Sequence, residues 1–555
     1  MAEIDKHDPF SRRTYLKTIG IGGVGVALAG CTDSKSSNED GSGGKTKNKD
    51  TFVVGMSSKA STLDVQKATR RPESTILSAI HETLFRLDKN KKPVPHLAKE
   101  FSKNKDATEF TFQLEDGVTF HNGEKFTADV AKWSYERFLE NSPNSYLIGP
   151  VDSIEAPKKT ELTINFKEPF PLLPRNLTNW STAFTSKKAV NEAGDSYGQS
   201  TAVGTGPYEF NKWERGTAVT VSQFDDYNWG PDFAENTGPG KVNKFRFELL
   251  PESTTLLQEL TSGKVDGSSY VALSDTGKVE DSSNTNLERK RYTRPGFLAL
   301  NTQKAPMDDV RIRRAINHAV KKEPVIEAAL GGEGYPIWSI VPPIAVNSLE
   351  ESEAKKMGEQ YDPKKARSLL EEAGWTNSKE GETRTKDGKK LKLTFYAFTI
   401  PRYAKIGKTV APMLGQVGID TDLKVLEAGT LYNNLEAGKH HLTTMAYGGN
   451  WAVNALEPIL KGENAATEGG TNYSLWQNKK FDSLLNKAKA DPDKNARKNA
   501  IMEAQKLVIK EAPVTPICAF NKIYGYKKSV TGMDAWTQHA WWPDQEWLNR
   551  LEMGF

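Results

Sequence analysis

Cysteine is almost missing from this 555-residue sequence: Cys31 and Cys518 are the only two, in unrelated contexts, so a disulfide framework is excluded. Histidine is scarce as well, with eight residues and a single adjacent pair, His440-His441. There is neither a CxxC pair nor an HExxH helix, and no dedicated zinc site or other metal site is expected. Charge of one sign is also lacking, because 75 Lys+Arg against 71 Asp+Glu leaves +4. No basic stretch is long enough to follow a phosphate backbone, which argues against a nucleic-acid partner. What the chain does have is core material: 37% hydrophobic residues with 12 Trp, 17 Tyr and 23 Phe, a composition that excludes a disordered protein. Its length exceeds the ~100–200 residues of one domain, so at least two compact units are expected.

The first fifty residues read as an address and a tether. Ser11-Arg12-Arg13-Thr14-Tyr15-Leu16-Lys17 is a twin-arginine block, followed by an uncharged, glycine-rich apolar run from Ile19 to Ala29. That run is too short to cross ~30 Å of hydrocarbon as a helix. It ends in Leu28-Ala29-Gly30-Cys31, which resembles the lipobox of bacterial and archaeal lipoproteins, where cleavage precedes a lipidated cysteine. Residues 1–31 are therefore expected to be a twin-arginine lipoprotein signal peptide, with Cys31 as the lipid attachment point on the outer face of the cytoplasmic membrane. Residues 32–50 contain no aliphatic or aromatic side chain and are expected to be a flexible tether.

From Thr51 the pattern is mixed α and β. Phe110, Phe112 and Leu114, and likewise Leu162, Ile164 and Phe166, alternate with polar residues as half-buried strands do. Thr127 is placed to cap a helix carrying Val130, Trp133, Ser134, Arg137 and Phe138, and Asp362-Pro363 opens another with Ala366, Leu369, Leu370 and Ala373 that stops at Gly374. Phe481–Ala490 and Asp493–Glu511 are expected to be two more. Chemistry-bearing motifs are few. The GxGxxG of Gly20–Gly25 follows no strand and falls inside the signal. Gly194-Asp195-Ser196-Tyr197-Gly198 has the form of a hydrolase nucleophile elbow, but a helical stretch precedes it where a strand is required. Adjacent carboxylates such as Asp225-Asp226 point apart and read as solvated surface. His440-His441 reads as a surface pair, and Cys518 as a small hydrophobe in an apolar strand. Core or lobe packing is the default for Trp541, Trp542 and Trp547. Sequons occur at Asn176, Asn179 and Asn472.

Several passages resemble the extracellular solute-binding proteins of family 5, the peptide and nickel type that serve ABC importers. Pro93 to Ala98 continuing through Phe110–Phe138 resembles the family pattern "P-x-LA … L-x-x-G-V-x-F-x-x-G-x-x-F-x-A-x-D-V". Val203–Tyr208 with Asp226–Gly230 resembles "GTGPY … YWG", Leu300–Thr302 with Asp309–Ile316 resembles "NT … D-x-R-V-R-x-A-I", and Tyr361–Trp375 resembles "YDP-x-x-A-x-x-LL-x-x-AGW". The resemblance implies an α/β, two-lobed periplasmic-binding-protein-like fold (type II, large cluster with an extra subdomain) with a two-strand hinge. Lobe one would be 51–293 plus 523–555, with 88–168 as the extra subdomain, and lobe two 294–522.

The function so implied is a lipid-anchored, non-enzymatic, monomeric substrate-binding component that takes up small peptides or peptide-like solutes for ABC permease and ATPase subunits, with no cofactor. An oligosaccharide-binding protein is the alternative, and an extracellular serine hydrolase built on Ser196 the alternative of another class. Peptide-type members carry "W-x-x-D-x-x-D-P", whose first Asp pairs with the peptide ammonium. Here the run is Trp451-Ala452-Val453-Asn454-Ala455-Leu456-Glu457-Pro458, with an amide at the anchoring position. An amide supplies no charge to offset desolvating a cation. The resemblance further implies main-chain ligand contacts near Thr69, Arg70 and Arg71 and near Asn450, Trp451 and Ala452. Tyr146, Trp213, Phe297, Arg402, Tyr447 and Tyr524 are expected at cleft positions.

Overall fold

The computed structural model describes residues 50–532, except 89, 269, 377, 378 and 380, together with Gly554. Cys31 and the tryptophans at 541, 542 and 547 lie outside the described residues. Among those described, no helix is long and apolar enough to cross a membrane.

Two long antiparallel strands, Thr285–Leu300 and Val514–Lys527, form the centre of an 11-stranded sheet and belong to both of its wings. On one side follow Gly267–Ser268, Thr51–Met56, Lys244–Leu249, Ala218–Gln223 and Tyr208–Glu214; on the other, Leu442–Ala446, Lys392–Phe398 and Asp420–Leu426; the eleventh strand, Gly334–Pro336, pairs with Val514–Lys527 off this path. The ladder between the two central strands shifts register between Arg291 and Pro295. Pro295 has no N–H to give the ladder, so the break falls where the chemistry removes a donor. Val514–Lys527 is buried almost continuously, as a strand covered on both faces must be.

Three large cores flank this arrangement. One gathers side chains between Phe297 and Phe520, a second those between Phe52 and Phe247 together with Tyr524 and Val530, and a third those between Leu84 and Phe184. The third core belongs to a four-stranded antiparallel sheet (Ala98–Lys103, Glu109–Leu114, Glu161–Phe166, Val151–Lys158) covered by the helix Ala128–Asn141. It draws on a longer stretch of chain than 88–168. Thr127 caps that helix by accepting from the Val130 N–H, and its buried stripe is Ala131, Ser134, Tyr135 and Phe138; Trp133 and Arg137 lie half-buried beside it. The helix Pro363–Glu372 begins on Asp362, whose carboxylate accepts from the N–H groups of Lys364 and Lys365, and is followed by Gly374 at φ +87.

The motif residues between 82 and 229 converge on one buried carboxylate. Glu82 accepts from His96 Nε2 at 2.7 Å, Tyr227 OH at 2.8 Å, Trp229 Nε1 at 2.9 Å and Thr205 Oγ1 at 3.0 Å. Burial alone would raise this carboxyl. The field and hydrogen bond of His96, the Arg86 guanidinium and the Trp229 bond outweigh it and hold Glu82 below its ordinary value. Arg313 plays a similar part elsewhere: it donates to the Glu511 and Ala512 carbonyls at the end of the helix Lys494–Glu511, and to Met307 and Asp308.

Candidate functional site: two cavities between the lobes

After the strand Leu442–Ala446 the chain turns through Tyr447-Gly448-Gly449-Asn450 into the helix Ala452–Leu460. The two glycines are dictated by close approach. A Cβ on Gly448 would lie 2.6 Å from the Thr293 carbonyl, and one on Gly449 2.7 Å from the Ala455 nitrogen. The turn is pinned from the side, because the Val346 N–H donates to the Asn450 carbonyl at 2.9 Å and the Ala452 N–H to the Val346 carbonyl at 3.0 Å. Trp451, Ala452 and Val453 are buried, so Asn454 is the exposed side chain of the helix's first turn. Pro458 carries no N–H, so the Asn454 carbonyl cannot receive its usual helical bond from that residue.

Asn454, Tyr447, Asn450 and Trp451 face a cavity of about 440 Å³ whose opposite wall is Tyr146, Arg175, Asn176, Thr178 and Asn179. Burial raises the hydroxyls of Tyr146 and Tyr447 above the usual phenol value, and for Tyr447 the neighbouring Tyr146 and Glu457 add to it, so both are neutral donors at ordinary pH. The two carboxylates on this cavity are already engaged. Glu457 accepts from Lys489 at 2.7 Å and Lys461 at 3.3 Å, and Glu463 pairs with Lys461 at 2.8 Å. Near Asn454 the helix N-terminus and the Arg175 guanidinium add positive potential, while the negative field of Glu457, shared between two lysines, still reaches Tyr447.

A second cavity, about 570 Å³, lies beside the break in the central ladder. Arg71, Arg294, Arg402, Lys405 and Lys522 line it against one carboxylate, Glu333, which accepts from Arg289 Nε at 2.8 and 2.9 Å. Arg402 stands over the Phe520 ring at 5.5 Å, and Lys522 over the buried Tyr524 ring at 4.9 Å. Tyr270 and Ile400, both exposed apolar side chains, flank the same space.

Of the residues singled out in the sequence, Asn454, Trp451, Asn450, Tyr447 and Tyr146 meet in the first cavity, and Arg71 and Arg402 in the second. Ala452 contributes buried backbone behind the first. Thr69 and Arg70 are exposed and line neither. Phe297 and Tyr524 fill cores, at 3% and 0% exposure, because their strands are covered on both faces. Trp213 stacks on Arg215 at 3.5 Å beside a separate cavity of about 370 Å³. Sequence reasoning missed the wall from Arg175 to Asn179, although Asn176 and Asn179 had stood out as sequons. The third sequon is buried: Asn472 donates its amide to the Lys461 and Trp476 carbonyls.

The competing chemistry finds no support in the geometry. The GxSxG run follows the helix Lys187–Ala193 and forms a short turn, where Ser196 Oγ donates to the Ala193 carbonyl at 2.7 Å instead of facing a base. Only half of the histidine pair lies at the surface: His440 is fully buried, with Nε2 on the Tyr473 carbonyl at 2.7 Å, while His441 is partly exposed. His441 accepts from the Thr394 N–H at 2.9 Å. Among the described residues no group of three His, Cys, Asp or Glu side chains is disposed to hold a metal. Cys518 is buried, and burial pushes its thiol up to about 12.

The description of bacterial extracellular solute-binding proteins, family 5, matches residues 92–466, more than half of the chain. The chain belongs to that family. The glutathione-binding protein GsiB of Shigella dysenteriae is 26% identical over 492 residues, which is 86% of this chain and 91% of the relative. The substrate-binding protein CtaP of Listeria monocytogenes superposes with a TM-score of 0.77 at 23% identity, over 92% of this chain and all of that one. The dipeptide-binding protein of Pseudoalteromonas sp. SM9913, solved with Met-Leu, gives 0.67 at 21% identity, over 87% of this chain and 96% of that one. These likenesses identify the mixed α/β architecture as the two-lobed fold of family 5 solute-binding proteins.

Proposed function

We propose that this protein is the lipid-anchored substrate-binding component of an ABC importer. It captures small peptides or peptide-like solutes between its lobes, closes by hinge motion, and is read in the closed form by permease and ATPase subunits, with no catalytic step. The observation that carries this reading is the pair of cavities. One offers neutral hydrogen-bonding groups around Asn454; the other is ringed by five cationic side chains, including Arg71 and Arg402. A solute with a carboxylate at the cationic end, and an uncharged or anionic group near Asn454, satisfies both. The name of the relative GsiB, a glutathione-binding protein, is of that chemical kind.

The lobe boundaries of this reading are 51–293 with 523–555, and 294–522, with 88–168 as the extra subdomain. The three cores and the register shift between Arg291 and Pro295 support them. Cys31 is the lipidated residue, and export follows the twin-arginine route. One buried acyl chain anchors only marginally at ~0.8 kcal/mol per CH₂, so stable attachment takes at least two chains. Cys31→Ser should release the protein or leave its precursor uncleaved; processed protein still held on the membrane would contradict the anchor.

The ligand is tested by mass spectrometry of solute retained on purified protein and by calorimetry. The panel is γ-Glu-Cys-Gly, Ala-Ala-Ala, N-acetyl-Ala-Ala-Ala and maltotriose. The expected result is tightest binding of the acidic tripeptide, with acetylation of trialanine costing no affinity. Binding of maltotriose alone would establish the oligosaccharide reading, which the amide and hydroxyl lining at Asn176, Thr178, Asn179 and Thr471 favours. Peptide or ester turnover that disappears in Ser196→Ala would overturn both.

A further inference from the structure

Asp88, Asn90, Lys91 and Lys92 lie between the short strands Phe85–Leu87 and Pro93–Pro95. Their turn is held stiffly. The Asp88 carboxylate accepts from the N–H groups of Asn90 and Lys92, both at 2.8 Å, and the Asp88 carbonyl accepts from the Lys91 N–H at 2.9 Å. These bonds keep Lys91 in the left-handed region, at φ +64, a conformation a lysine adopts only when its surroundings impose it. The side chain presented in this way donates to the Ile344 carbonyl in the other half of the molecule.

The acceptor is not an ordinary surface loop. Two residues on, Val346 exchanges backbone hydrogen bonds with Asn450 and Ala452, and so borders the segment that carries Asn454. The far side of the same loop is fixed by Gln505, which accepts from the Leu349 N–H at 3.0 Å and donates to the Asn347 carbonyl at 2.8 Å. Hydrogen bonds, joined by the short stretch of chain from Ile344 to Val346, therefore link the Asp88 turn through Lys91 to the first turn of the helix bearing Asn454. Arg175, on the wall of that cavity, is close enough to act on the Lys91 ammonium.

We infer that Lys91 is a positioning residue: a latch that ties the lobes together across the rim of the Asn454 cavity and couples their closure to the loop that orients the ligand-facing helix. This rests on the reading of that cavity as a solute site. A latch of this kind adds nothing to the approach of a ligand. It holds the closed form, so its loss should appear in the rate of leaving rather than of arriving.

The test uses the mature chain carrying Cys31→Ser, with spin labels at Glu100→Cys and Lys480→Cys; both positions are exposed, and Cys518 is buried. Lys91→Asn removes the reach of the side chain while suiting a left-handed backbone, Lys91→Arg keeps a donor, and Asp88→Ala loosens the turn. In ligand-free protein, Lys91→Asn should add a longer-distance population to the label separation, Asp88→Ala should do so in part, and Lys91→Arg should not. With γ-Glu-Cys-Gly as the probe, the dissociation rate should rise several-fold in Lys91→Asn at unchanged association rate and unchanged thermal midpoint. Label distances in Lys91→Asn identical to the parent would overturn the latch whether or not any solute binds. A shifted distance with no binding of the probe would leave the latch standing and count against the solute reading instead. A dissociation rate unmoved by Lys91→Asn would refute the coupling to the ligand.

Discussion

The amide of Asn454 stands where a carboxylate would have made the cavity attractive to an ammonium, and its surroundings do not make up the difference. Both acids on the cavity wall are spent on lysines, and the helix N-terminus and Arg175 add positive potential. Asn454→Asp should therefore strengthen binding of free-amino peptides by roughly tenfold or more, the ~1.5–3 kcal/mol of a hydrogen bond to a charged group, and weaken binding of an acidic ligand. Calorimetry on both proteins with free and N-acetylated trialanine measures this. A parent protein that already binds the free peptide at micromolar affinity and loses that affinity on acetylation would sink the argument.

At the scale of elements, Glu82 joins the end of the helix Arg71–Ile80 to the strand Pro93–Pro95 and to the two loops holding Thr205 and Trp229. Removing its charge leaves donors facing an amide that can accept fewer bonds and adds two of its own. Glu82→Gln should cost about 3–5 kcal/mol, as for a broken buried ion pair. Because the folded carboxyl sits below the ordinary 4.5, its contribution is present above that pH and fades as pH falls through the folded value. The gap between parent and variant in urea denaturation should accordingly narrow in acid; a constant gap would mean that the charge is not what stabilises. The ease of reading these elements from sequence differed for physical reasons. The helix Pro363–Glu372 was legible because its Asp362 cap, proline and terminal glycine are local signals. Asn454 was legible because a spaced motif surrounds it. The wall from Arg175 to Asn179 was not, since it lies in a short helix and the turn after it and acquires meaning only opposite a segment far along the chain. The cationic ring was hidden for the same reason, its members being scattered from Arg71 to Lys522. Phe297 and Tyr524 misled because an aromatic side chain serves a core or a cleft equally well until both strand faces are known to be covered.

For the whole molecule, acid is the expected weakness. His81, His121, His440 and His441 are all lowered from 6.5 to about 4, mainly by burial, so each is neutral in the fold. The unfolded chain takes up these protons first as pH drops below 6.5, and each of the more deeply buried sites, His81, His121 and His440, removes up to roughly 1.4 kcal/mol per pH unit until about pH 4, whereas the part-exposed, solvent-screened His441 contributes less. Urea midpoints should fall steeply over that window, and His440→Gln should flatten part of the fall; midpoints level from pH 6.5 to 4 would show that the imidazoles are not protected. The position of Val514–Lys527 bears on how the protein is made. This strand, the latest in sequence among the described ones, lies in the middle of the sheet, between Thr285–Leu300 and Gly267–Ser268. Neither wing has its full complement of strands until residue 527 is in place, so the strands made earlier wait with apolar faces uncovered. One strand thus completes both wings, and neither lobe is finished ahead of it.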